Sequence, residues 1–150
     1  MKKLILVVCM LTLQVTFSQS RKSKEKAFKQ VVSLIKKGEN FNGGNNIKII
    51  SHDFDDLTIT IKMNVPFSGG AKRLVYLKLK DLKDLNKNTS RTLSAKKIYV
   101  SVVMTFKNDF KIETIKDEQK SFKYSGSAFV TFEEDSKYID KFIKALQVFM

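Results

Sequence analysis

The chain has 150 residues, 43% of them hydrophobic, with 28 Lys and Arg against 15 Asp and Glu and a formal net charge of +13. A single Cys and a single His exclude an internal disulfide, a cysteine-ligated zinc and a two-histidine metal site. The length fits one domain rather than two and is enough to bury a core without staples.

The first twenty residues divide into a basic start at Lys2 and Lys3, an apolar run from Leu4 to Leu13, and a small or polar stretch through Thr16, Ser18 and Ser20. This is the three-part layout of a secretory signal. A membrane-spanning helix needs about 20 apolar residues, so a cleaved signal is the expected reading over a permanent anchor. Residues 1–20 are then the signal and 21–150 the single mature domain, periplasmic or extracellular, with no transmembrane segment. Cys9 sits inside the apolar run with Val8 before it, where a lipid-acceptor site calls for Gly, Ala or Ser. Cleavage therefore removes the only thiol, together with Lys2 and Lys3, and leaves a net charge of +11.

From Lys22 to Lys37, Ala27, Phe28, Val31, Val32 and Ile35 recur at helical spacing between Lys and Glu residues, which predicts an amphipathic helix ending near Gly38. Residues 42–46 read as a flexible connection. Ile47 and Ile49 begin a first strand, and the polar stretch Ser51 to Asp56 turns it into a second, in which Leu57, Ile59, Ile61, Met63 and Val65 alternate with polar residues. Pro66, Ser68, Gly69 and Gly70 form the next turn. A third strand buries Val75, Leu77 and Leu79. Leu82 to Ser94 is polar and reads as a long loop or short irregular helix; Asn88, Thr89 and Ser90 match a glycosylation acceptor, a pattern frequent by chance.

Ile98, Val100, Val102, Met104 and Phe106 predict a fourth strand, separated by a turn at Lys107, Asn108 and Asp109 from a fifth carrying Phe110 and Ile112. A sixth places Phe122, Tyr124, Ala128, Val130 and Phe132 on one face, with a bulge or bend at Gly126. A second amphipathic helix starts near Ser136 and buries Ile139, Phe142, Ile143, Leu146 and Phe149, with Asp135 or Ser136 as its cap. The order predicts an α+β domain: an antiparallel meander of about six strands flanked by an N-terminal and a C-terminal helix, one sheet face remaining wet. On element order alone, a partly closed barrel capped by the last helix is the second arrangement, similar in outline to a pleckstrin-homology-like domain.

The residues that carry chemistry mostly have ordinary structural roles to fill. His52 and Asp53 sit where a strand enters a turn, and no nucleophile elbow accompanies them. Asp53, Asp55 and Asp56 lack the alternating ligands, central Gly and terminal Glu of a calcium loop, and Asp is a favoured turn residue. Glu133, Glu134 and Asp135 precede a helix, where negative charge is favourable. The stretch Ser68 to Arg73 lacks the spacing of a nucleotide loop and reads as a hairpin turn. No cofactor is implied.

The distributed basic surface is the suggestive feature. Alternation places Lys62, Lys78 and Lys80 away from the apolar face, together with Lys123, Thr58, Thr60, Ser101, Thr105, Ser125 and Ser127. Such a face suits an acidic protein, an anionic glycan or lipid headgroups. Only Arg21, Arg73 and Arg91 are arginine, and the planar guanidinium fork is what base and phosphate recognition favours, so nucleic acid is a poor candidate. The expected function is a non-catalytic exported binding module. An inhibitor or immunity-type protein blocking an exported enzyme, and a hydrolase using Asp53, Asp55 or Glu133, are the rival classes.

Overall fold

The computed structural model describes residues 20–66, 69–92 and 97–150. Residues 1–19, which hold Cys9 and all but the last position of the expected signal, lie outside the described residues. Helix α1 covers residues 20–35. Seven strands follow: β1 Asn40–Phe41, β2 Asn45–Asp53, β3 Thr58–Asn64, β4 Lys72–Lys78, β5 Leu82–Thr92, β6 Lys97–Lys116 and β7 Gln119–Glu133. Helix α2, Tyr138–Gln147, closes the chain. No helix among the described residues is long and apolar enough to cross a membrane.

All pairings are antiparallel, in the order β1-β7-β6-β4-β3-β2, with β5 also pairing β6. The long β6 explains the double pairing. Its first half, from Lys97 to Phe106, takes β5, and its second half, Ile112 to Ile115, takes β4. A 3-10 turn at Leu79–Asp81 carries the chain from one to the other. The sheet curls into a half-barrel, giving an α+β fold dominated by its sheet. At one end Asn42 fastens the curl: its N–H donates to the Phe129 carbonyl (3.0 Å), its Oδ1 accepts from the Phe129 N–H (2.8 Å), and its carbonyl accepts from Arg73 Nη1 (3.2 Å). Gly43 continues that turn at φ +75°, a conformation glycine adopts without a Cβ penalty.

Both helices lie on the inner face. Ile59, Ile61 and Met63 from β3, Val75 and Leu77 from β4, Val102 and Met104 from β6, and Ala128, Val130 and Phe132 from β7 join Phe28, Val31, Ile35, Phe142 and Leu146 from the helices in one buried cluster. The Phe28 ring meets Phe54, His52 and Phe149 edge-on at 5.8, 6.0 and 6.5 Å, tying α1 to β2 and to the C-terminus. The cap expected at Asp135 or Ser136 is not formed: Lys137 holds the position before α2 without a side-chain cap bond, and Ser136 Oγ accepts from the Tyr138 N–H at 3.4 Å.

Several sequence expectations are corrected. The segment from Leu82, read as a loop or irregular helix, is strand β5. Its residues 86–89 are exposed, so β5 is held by the backbone ladder to β6 from Leu82↔Phe106 to Thr92↔Lys97 and shows no apolar alternation. The turn expected at Lys107–Asp109 is an irregularity within the continuous β6. The actual hairpin turn is Asp117–Glu118, at φ 48° and 65°, without the glycine that marks such turns in sequence. Phe41, assigned to no element from sequence, is wholly buried in β1 and pairs with Val130, and β2 begins at Asn45, inside the stretch 42–46 read as a flexible connection. Leu57, expected to open β3, lies in the turn before it at φ 53°.

The face assignment of β7 is also corrected. Ser127 pairs with Thr105, but Ser125 pairs with Phe110, so Gly126 alone opposes the four residues 106–109 of β6. That bulge reverses the alternation of β7. Phe122 and Tyr124, expected beside Ala128 and Val130, are 53% and 67% exposed. Lys123, expected on the wet face, pairs with the buried Ile112 and takes the parity of the inner face, while remaining exposed near the hairpin end.

Candidate functional site

Directly paired residues of antiparallel strands point to the same side of the sheet. Lys62 on β3 pairs with Lys48 on β2 and with Leu74 on β4, while Asn64 pairs with Lys72. Lys48 and Lys62 are therefore cross-strand neighbours, and Lys72 stands diagonally from Lys62, within about 7–8 Å at the backbone. All of them face away from the core, because Ile61 and Met63 on either side of Lys62 are buried.

The outer surface here forms a groove of about 510 Å³, lined by Asn46, Ile47, Lys48, Lys62, Asn64 and Lys72. No carboxylate lines it, and none of its lysines forms an ion pair among the described residues. Like charges directly across a ladder are destabilising, so this arrangement carries a local electrostatic cost that an incoming anion would relieve. Lys62 is half-buried, and Lys48 and Lys72 are exposed.

The structure brings Lys62 together with Lys48 and Lys72, not with the other sequence-selected lysines. Lys78 shares its face but lies four residues along β4 from Leu74, roughly 13 Å at 3.3 Å per residue. Lys80 is exposed on the 3-10 turn, and Lys123 has the opposite parity described above. Lys48 was not selected although Ile47 and Ile49 on either side imply its outer face, because only the pairing with Lys62 makes it part of a cluster. Lys72 was missed because it was read as part of a turn. Their adjacency is a matter of register.

The acidic candidates have local roles. Asp53 Oδ1 accepts from the backbone N–H groups of Asp55 (2.8 Å) and Asp56 (3.2 Å), the bonding of a turn residue. Asp55 pairs with Arg21 at 2.8 Å. Glu133 is on β7, with β3, β4 and β6 intervening in sheet order between it and Asp53 on β2. His52 places its ring against Phe28. Arg73 takes part in β4 pairing and reaches Asn42 rather than cradling an anion in a turn.

A second polar cluster lies on the outer face around Glu113, which is 6% exposed. Its Oε1 lies 3.2 Å from Lys120 Nζ, and its Oε2 accepts from the Tyr76 hydroxyl at 3.2 Å. The bond from Lys120 is the main cause holding the Glu113 carboxyl below the usual range, against a desolvation effect that raises it; the Tyr76 bond lowers it further. Burial, followed by the bond to Glu113, pushes the Tyr76 hydroxyl up. A carboxyl depressed in the folded state adds stability above its unfolded value of about 4.3 and loses it as pH falls through the folded value. Thermal melts from pH 7 to pH 3 should show a smaller acid-induced loss for Glu113→Gln than for the unmodified chain. Parallel curves would show that Glu113 does not contribute to the acid response.

Compared with protein-family models, curated proteins and solved structures, the chain matches none of them significantly, so its function is to be read from its own residues.

Proposed function

We propose that this chain is a small exported binding module that docks an anionic partner, without catalysis, on the groove formed by Lys48, Lys62 and Lys72. The observation that carries the proposal is the concentration of lysines from three adjacent strands with no ion pair of their own among the described residues. A rigid sheet holds these ammonium groups close together without requiring a loop to fold on binding, which lowers the entropic cost of association. Export is supported by the basic, apolar and small-residue sequence of the first twenty positions. The strand order is not that of the expected simple meander, but the curled sheet with its helices packed on the inner face also suits the proposal, since neither helix covers the outer face. A curled sheet followed by a C-terminal helix keeps the pleckstrin-homology-like outline as an element order only, and no ligand is transferred from it.

The test is binding of the purified protein to immobilised heparin, to polyglutamate and to vesicles containing anionic phosphatidylserine, over a salt series. Binding to at least one of these should be strong in dilute buffer and fall steeply with salt, since exposed charges are screened within about 8 Å at physiological ionic strength. Absence of binding to all three at low salt would sink the proposal.

A further inference from the structure

We infer that a second cavity, bounded by β1, β6 and β7, is a binding site for a neutral polyhydroxylated ring of monosaccharide size. The cavity measures about 550 Å³, within the roughly 300–1,000 Å³ of small-molecule sites. Strand order places β6, β7 and β1 side by side. Ser101 pairs with Thr131, and Thr131 pairs with Asn40, so three polar side chains form a row across three strands on the outer face. The Ser101 and Thr131 hydroxyls are 2.8 Å apart. Asn40 Oδ1 is buried at the end of that row with no donor.

A buried acceptor without a donor is costly. Asn40 itself lines the cavity, so a ligand hydroxyl that reaches its amide would satisfy that oxygen. Tyr99 and Phe129 also line the cavity. They stand on the same side of the sheet as Ser101 and Thr131 by alternation, and supply an apolar wall of the sort that the C–H face of a sugar ring packs against. Glu39 and Asn45 add a carboxylate and an amide at the lining, both able to bond hydroxyls. No lysine or arginine is among the described lining residues. An anion therefore finds no counter-charge here, in contrast to the lysine groove, and the two sites select opposite ligand chemistries.

The experiment is an amide-resolved NMR titration of the ¹⁵N-labelled protein with glucose, galactose and mannose, and separately with tetramethylammonium and inorganic phosphate. The expected result is saturable movement of the Asn40, Ser101 and Thr131 amides with at least one hexose. Asn40→Ala should weaken that binding about three- to tenfold, as loss of one hydrogen bond implies, while heparin binding is unchanged. Tyr99→Leu, which removes the ring and keeps an apolar side chain, gives a second variant should Asn40→Ala fold poorly, and it too should weaken hexose binding. No movement of these amides up to ~100 mM hexose, well above a millimolar Kd, overturns the inference. So does saturation by either ion in place of the hexoses, or unchanged hexose affinity in a folded variant. Loss of heparin binding bears only on the lysine groove, so failures of the two sites are distinguishable.

Discussion

Phe142→Ala is expected to remove about 3–5 kcal/mol of stability, a large share of the 5–15 kcal/mol typical of a domain. Phe142 is wholly buried, and its ring meets Phe132 of β7 edge-on, with centroids 5.6 Å apart and planes at 61°. Truncation loses the transfer energy of the ring, leaves a cavity between α2 and the sheet, and forfeits an aromatic pair worth about 0.5–1.5 kcal/mol beyond its area. Leu146, also fully buried one turn later, should lose about 2–5 kcal/mol on the same change. Ile143 is only half-buried and should lose less. Thermal melts should show a fall of roughly 10 to 20 °C for Phe142→Ala. A midpoint equal to that of the unmodified chain would mean that α2 is not docked on the inner face.

Changing Lys48, Lys62 and Lys72 together to Glu should weaken binding to an anionic partner by roughly ten- to a hundredfold in dilute buffer. The figure follows from about 0.5–1 kcal/mol for each lost charge contact, with a tenfold change per 1.4 kcal/mol; repulsion from the new carboxylates adds to it. None of the three is part of the core cluster, so folding should survive. The control is the same six-unit change at Lys78, Lys80 and Lys123, which are exposed but lie away from the groove. If bulk charge alone governs binding, the two triple variants lose affinity equally. If the groove is the site, the first loses much more, and the difference shrinks as salt rises. Lys48→Glu alone offers an internal check. It turns the Lys48–Lys62 repulsion into an attraction across the ladder, so denaturation should show a gain of about 0.2–1 kcal/mol even as binding weakens.

How far the site was legible in the sequence can be argued from single lysines. Lys62 was identifiable because β3 alternates regularly from Thr58 to Asn64, and period-two alternation assigns a face without knowledge of the neighbouring strands. For Lys48 the flanking Ile47 and Ile49 gave the face but not the neighbour, because the pairing with Lys62 is a register between two strands. The Ser101–Thr131–Asn40 row could not be found locally either, since Thr131 is 30 residues from Ser101 and 91 from Asn40 in the chain. The hydroxyl-rich composition of β6 and β7 was the only signal, and it is shared by many solvated faces.

By itself the sequence determined the α+β class, the helical stripe containing Phe28, Val31, Val32 and Ile35, the apolar alternation of β3 and the C-terminal stripe through Phe142 and Leu146. These are patterns in which side-chain burial repeats at the period of the backbone that carries it. Tertiary structure alone decided that Leu82–Thr92 is a strand, that β6 runs through Lys107–Asp109, and that Gly126 turns Phe122 and Tyr124 outward. It also decided which lysines meet. In each case the deciding interaction is a backbone ladder or a register between segments distant in sequence, and backbone hydrogen bonds carry almost no signature in side-chain identity.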